Sequence, residues 1–260
     1  VTTSAAASSP LRAFLADFAR RQARRVEEFP CGFAATNDAL PHSRVDNQLF
    51  VERPLPDPAA LPALADRALA GLPYRLVTVF DEGTGEAAIG PFTAAGYEHT
   101  AELLMVHRGP VPAPRPGGPR AGTVELAALR GPLARRWRGF LPDADEEAVR
   151  QLVERRDVRR GGAETVHFVG SPTGGGEIAA WVDLYLAPAA GLAQIEDLLT
   201  AEEHLGRGHG HAVVAEALRL AEAAGCATRF LVAEADDWPR LWYARLGFTT
   251  VGRIHAFERA

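Results

Sequence analysis

Three glycines at alternate positions, in Leu205-Gly206-Arg207-Gly208-His209-Gly210-His211, constrain the chain path more tightly than any other stretch of this sequence. Residues without a Cβ let the backbone N–H groups converge on one point and let a ligand approach them closely. From Ala212 onward Val213, Ala217, Leu220 and Ala224 share one stripe, flanked by Val214, Leu218 and Ala221, with Glu216, Arg219 and Glu222 outside it. That spacing predicts a helix, which Gly225 ends. Upstream, Ala193 to Thr200 reads as a buried strand. The order strand, glycine turn, helix aims free N–H groups and the positive end of a helix at one place, as a pyrophosphate cradle requires. The competing reading is a sharp turn into a helix that binds nothing.

Residue types exclude two other phosphate loops. A dinucleotide fingerprint needs Gly-x-Gly-x-x-Gly, but counting from Gly206 lands on His211 and counting from Gly208 lands on Val213. A Walker loop needs a lysine, and all 28 basic residues of this chain are arginine. The same absence removes lysine Schiff-base chemistry.

At 260 residues and 47% hydrophobic, the chain has material for one or two buried cores. A net charge of -5 provides no basic field for nucleic acid. No apolar run approaches membrane-spanning length. Cys31 and Cys226 are the only cysteines, too few for a disulfide framework, so a cytoplasmic location is expected. His204, His209 and His211 are spread around a glycine turn with no cysteine nearby, and no metal site is expected. Val1 to Ser9 reads as a loose tail. The sequence sets no oligomeric state.

Gly109 to Gly122 is dominated by proline and glycine and divides the chain into residues 1–112, a linker at 113–122, and residues 123–260. The second part reads as a short strand at Val124 to Leu126, helices at Pro132 to Phe140 and Asp145 to Arg156, and a hairpin of Val166 to Val169 with Ile178 to Leu186. Then come the strand to Thr200, the glycine turn and its helix, a strand at Arg229 to Ala233, a short helix from Trp238, and a strand around Val251 to Phe257. The fold class is α+β, a mixed sheet flanked by helices. In the first part, helix around Ala13 to Phe18, strand Gln48 to Val51, helix Ala59 to Ala70 and strand Leu76 to Phe80 are expected. Phe92-x-x-x-Gly96-Tyr97 repeats the spacing of Tyr243-x-x-x-Gly247-Phe248, so the first part reads as a degenerate copy acting as scaffold, with chance similarity as the competitor. The copy has phenylalanine in place of tyrosine, and Leu55-Pro56-Asp57-Pro58 in place of the glycine turn.

With these motifs in place, residues 124–260 resemble the GNAT superfamily of acyl-CoA-dependent N-acetyltransferases. The family's Arg/Gln-x-x-Gly-x-Gly/Ala loop falls on Leu205 to Gly210, its preceding strand on Gln194 to Thr200, and its Asn, Tyr, x-x-x-Gly-Phe motif on Asp236, Tyr243, Gly247 and Phe248. Two positions depart: Leu205 replaces arginine or glutamine, and Asp236 replaces asparagine, removing an amide donor. The resemblance implies a GNAT-like acyltransferase fold, tandem if the first part is a copy. It also implies acetyl-CoA as cofactor and a small-molecule or peptide amine as acceptor. Leu205, Gly206, Arg207, Gly208, His209, Gly210 and His211 would bind the pyrophosphate, with Asp236 and Tyr243 near the cofactor arm. A bulge in the fourth strand would turn the Leu198 N–H toward the thioester carbonyl, with Leu199 and Thr200 along the pantetheine.

Acetyl transfer to an amine needs a neutral nucleophile, a polarised carbonyl and a proton for the leaving thiolate. Tyr243 is the candidate acid, against a buried tyrosine with a satisfied hydroxyl. Glu196, two residues before Leu198 on the same strand face, is the candidate base, against a structural ion pair; Asp197 is expected to point the other way. Trp181, Asp183 and Tyr185 alternate with apolar residues and are candidates for the amine pocket, or for an interface with the first part. The expected activity is N-acetylation by direct attack in a ternary complex. The alternatives are a catalytically idle acyl-CoA sensor and a structural interaction protein.

Overall fold

The computed structural model describes residues 2–113 and 115–260; Val1 of the expected tail and Pro114 of the expected linker lie outside the described residues. In chain order the elements are α1 (Thr2–Gln22), β1 (Arg25–Phe29), β2 (Gly32–Thr36), β3 (Gln48–Val51), α2 (Leu61–Ala68), β4 (Arg75–Val79), α3 (Glu82–Ala94) and β5 (Glu98–His107). They continue as β6 (Gly122–Thr123), α4 (Leu126–Phe140), α5 (Glu146–Arg159), β7 (Thr165–Pro172), β8 (Ile178–Ala187), β9 (Leu192–Thr200), α6 (His209–Ala223), β10 (Thr228–Glu234), α7 (Pro239–Arg245) and β11 (Phe248–Arg259).

The chain forms two compact units that are not contiguous in sequence. The first comprises Val1–Met105, Val232–Arg245 and Thr249–Ala260, and the second comprises Val106–Leu231 with Leu246–Phe248. A division at the proline-rich segment would assign all of 123–260 to one body. The chain end instead groups with the first unit because β11 pairs antiparallel with β4 over His255 to Arg259.

The first unit runs in the strand order β1-β2-β3-β4-β11-β5, antiparallel from β1 to β3 and parallel from β3 to β4. Leu49, Val51, Val77, Val79, Leu61, Ala65 and Phe92 fill its core. Phe92 stacks on Phe257 at 4.2 Å and meets Tyr97 edge-on at 4.8 Å. The expected loose tail is helical from Thr2, and Ser8 is buried: a Cβ on Gly252 would stand 2.8 Å from the Ser8 Cβ, so only glycine admits the helix there.

The second unit runs β10-β9-β8-β7-β6, parallel between β10 and β9 and antiparallel elsewhere. Asp145 caps α5, its carboxylate accepting from the Ala148 N–H at 2.7 Å. The short strand expected at Val124 lies two residues earlier, as β6. The proline-rich segment is held down rather than free, with Arg120 O accepting from the Ser171 hydroxyl at 2.7 Å.

Two stretches of the chain share an element order. Each has a parallel strand pair joined through a helix (β3-α2-β4 and β9-α6-β10), then a second helix (α3, α7), a glycine and an aromatic residue at the start of a further strand (β5, β11). Gly96 and Gly247 both adopt positive φ, +80° and +95°, which explains why the spacing repeats at those residues. The mixed, helix-flanked α+β architecture read from the sequence is the one observed.

Candidate active site

In the second unit, α6 begins at His209, three residues earlier than its apolar stripe. His209, Gly210 and His211 therefore form its first turn, where N–H groups have no intrahelical acceptor. Gly208 is the N-cap at φ +89°, Gly206 sits at φ +72°, and no side chain caps the helix. This is the geometry that favours an anion at a helix head. Leu205 and Arg207 are exposed beside it. A Cβ on Gly208 would stand 3.5 Å from Pro119 Cδ and 3.7 Å from an Arg115 guanidinium nitrogen, so the proline-rich segment borders the turn.

The His209 side chain does something else. Its Nδ1 is 2.9 Å from Ser171 Oγ and the ring is buried, and burial, with His204 and Arg207 nearby, lowers its pKa. His209 thus contributes a backbone N–H and a structural tether.

Between Glu196 and Leu199 the ladder of β9 with β8 is interrupted. Trp181 pairs with Leu199 and Asp183 with Glu196, so Asp197 and Leu198 together face the single residue Val182. This is a β-bulge, which leaves backbone groups of the extra residue outside the ladder. Asp197 adopts φ +51°, unlike every other non-glycine among the described residues. The bulge breaks the alternation that would turn Asp197 away from α5. Its carboxylate Oδ2 accepts from Arg159 at 2.6 Å, Arg155 at 3.1 Å and Arg156 at 3.3 Å.

Asp183 and Tyr185, candidates for an amine pocket, belong to the same cluster and are fully buried. Asp183 accepts from Arg156 at 3.1 and 3.2 Å and from Arg159 at 2.8 Å. The Tyr185 hydroxyl accepts from Arg159 at 2.9 Å and donates to Asp183 at 3.2 Å. Burial drives the Tyr185 pKa well above its ordinary value. Burial also pushes the Asp197 carboxyl upward, but the guanidiniums of Arg159, Arg155 and Arg156 outweigh it and hold the group ionised well below the usual range. Arg156 falls on the stripe of Val149 and Leu152, the sign in the sequence that it is buried.

Trp181, the third candidate, lines a cavity of about 330 Å³ with Pro132, Arg135, Arg136, Leu199 and Thr200. Its indole Nε1 is buried and has no hydrogen-bond partner among the described residues. Glu196 is half-buried at the bulge and accepts from Gln194 Nε2 at 2.6 Å. In the other compact unit, Tyr243 is buried on α7 with Trp242 at 5.3 Å between ring centroids, and Asp236 is exposed before that helix.

The second unit thus combines an uncapped helix head after a glycine turn with a bulged strand before it. Residues 133–248 match the family described as Acetyltransferase (GNAT) family. A search of curated proteins finds no sequence match. Among solved structures, a functionally unknown conserved protein from Staphylococcus epidermidis is similar at TM-score 0.67 and 13% identity, over 91% of this chain and 94% of that one. A GCN5-related N-acetyltransferase from Kribbella flavida is similar at TM-score 0.64 and 17% identity, over 96% and 95%. A tandem GNAT protein from the clavulanic acid biosynthesis pathway is similar at TM-score 0.51 and 17% identity, over 77% and 67%. At these identities the likeness is one of fold, and the fold is GNAT-like.

Proposed function

We propose that this chain is an N-acetyltransferase that takes acetyl-CoA and acetylates an amine by direct attack in a ternary complex. The observation that carries the reading is the pairing, in one compact unit, of the uncapped Gly208–His211 helix head with the Asp197–Leu198 bulge of β9. The first suits a diphosphate, and the second suits a backbone N–H donor for a carbonyl.

Acetyl-CoA supplies the acyl group as a thioester. The N–H groups of His209, Gly210 and His211 bind the pyrophosphate, with Gly206 and Gly208 giving the turn its left-handed path. The missing arginine or glutamine at Leu205 weakens this without abolishing it, since the donors are backbone groups. Leu199 and Thr200 line the pantetheine, and the Leu198 N–H polarises the carbonyl. Glu196 takes the amine proton, directly or through water, and Tyr243 is the acid of the family motif. Trp181 lines the acceptor cavity, while Asp183 and Tyr185 bond to the arginines of α5 instead.

The first unit carries no second cofactor site in this reading. Its turn is replaced by Leu55 to Pro58, Pro58 opens a short 3-10 turn (Pro58–Ala60) ahead of α2, and Pro62 removes an N–H donor from the first turn of α2. Phe92, in the place of Tyr243, is spent on core stacking with Phe257.

The deciding experiment is CoA thiol release from acetyl-CoA against a panel of small amines, peptides and a protein lysine substrate, with calorimetry for stoichiometry. One cofactor per chain and turnover of at least one amine are expected. Binding without turnover on every acceptor would leave an acyl-CoA sensor, and two sites per chain would refute the scaffold role of the first unit.

A further inference from the structure

Asp197 stands where backbone geometry alone would select glycine. At φ +51° a side chain is disfavoured, and aspartate and asparagine are tolerated better than most. The carboxylate explains the choice. One of its oxygens accepts from three guanidiniums, those of Arg155, Arg156 and Arg159, which project from little more than one turn of α5. These arginines are buried, and three like charges so close need anionic partners. Asp183 on β8 binds Arg156 and Arg159, and Asp197 supplies the second carboxylate and is the group that reaches all three. The bulge is therefore fastened from one side by a helix and from the other by the β8 ladder.

We propose that Asp197 is a positioning residue for acyl transfer: gripped by the arginines of α5, it holds the β9 bulge in the conformation that presents the Leu198 N–H. The proposal rests on the acetyltransferase reading above. Asp197 acts through the backbone of its neighbour, so its loss reduces turnover while leaving the cofactor's phosphate contacts intact.

Asp197→Gly is the sharpest variant, because glycine accepts the backbone conformation and removes only the carboxylate. On the full chain, kcat with an acceptor established for the parent protein should fall about 10- to 100-fold, the scale of a small misplacement at a reacting centre. The Kd for acetyl-CoA should stay within about twofold, well under the tenfold that 1.4 kcal/mol represents. Amide hydrogen exchange at Leu198, read by NMR without substrate, should accelerate. Asp197→Asn keeps an oxygen for Arg159 and should recover part of the rate. Unchanged kcat in Asp197→Gly, or unchanged exchange at Leu198, overturns the proposal. Should Asp197→Gly not fold, Arg155→Gln removes one of the three bonds and is judged by the same two readouts. If the parent chain acetylates no amine, it is the enzyme reading that fails, and Leu198 exchange alone then decides whether the arginine grip orders the bulge.

Discussion

The Ser171 hydroxyl lies 2.9 Å from His209 Nδ1 and 2.7 Å from the Arg120 carbonyl oxygen. A carbonyl only accepts, so the single serine hydrogen goes to Arg120 and His209 Nδ1 must carry the hydrogen that completes the pair. With its pKa lowered by burial, the ring is a neutral donor that ties the head of α6 to β7.

His209→Ala should therefore cost about 1 to 3 kcal/mol of stability, the range for a lost buried hydrogen bond, and do little to cofactor electrostatics. Urea denaturation measures the first. Calorimetry with acetyl-CoA at pH 6 and pH 8 measures the second: a pH dependence of affinity that disappears in His209→Ala would mean that the imidazole charges against the diphosphate.

Gly208 and Gly225 separate conformation from binding. Both have positive φ, +89° and +80°, at opposite ends of α6, and a Cβ at either would meet no atom closer than ordinary contact. Alanine at either site should cost about 1 to 2 kcal/mol from the left-handed backbone alone. Only Gly208 borders the proposed phosphate site. Gly208→Asp should abolish measurable acetyl-CoA binding, while Gly225→Ala keeps the parental Kd; equal affinities for the two would remove the phosphate from the turn.

Much of this arrangement was legible in the sequence because periodic patterns report buried faces. β3 and β8 fall within a residue of their apolar runs, and the glycine turn announced the head of α6. The helix starts earlier than its stripe because His209 to His211 are held by backbone geometry rather than by apolar packing. The bulge was implied by family resemblance alone, and the orientation of Asp197 was misread because period-2 alternation fails wherever a residue is inserted. The strands β1 and β2 carried no clean alternation: β1 is largely exposed and β2 almost wholly buried. Tertiary partners such as Asp183 with Arg156 have no local signature, since the residues are 27 positions apart.

The first unit carries two groups whose linkage to pH runs in opposite directions. Burial, then His99 and Arg253, lower the His255 pKa to about 4, against a partial opposing effect of Glu86. The unfolded imidazole titrates near ~6.5, so its contribution to stability is whole above that pH and is lost as pH falls toward 4, by at most about 3 kcal/mol. Burial and Glu234 raise Glu102 to about 7. The folded carboxyl then keeps a proton that the unfolded chain releases, and stability declines as pH rises from about 4.5 through 7. Glu102→Gln should remove that alkaline decline and leave the acid limb attached to His255. Urea midpoints at pH 5, 6, 7 and 8 test this; parallel curves for variant and parent would contradict it.

Tyr243 and Glu196 have separate roles in the proposed reaction, and the two substitutions should differ in kind. A positioned acid contributes about 10² to 10⁴ in rate, so Tyr243→Phe should lose at least the lower figure with acetyl-CoA affinity retained. Its ring is buried, and phenylalanine preserves that packing, so thermal unfolding should change little. Glu196 accepts from Gln194 at 2.6 Å and is half-buried. An alkyl amine of pKa about 10 is protonated at neutral pH, so Glu196→Gln should cost most near pH 7 and progressively less as alkali deprotonates the acceptor. The kcat/KM profile from pH 6 to 10 reads this directly. A Tyr243→Phe enzyme at full turnover would assign the proton to another donor, and a Glu196→Gln profile parallel to the parent's would assign the base to ordered water or a different side chain.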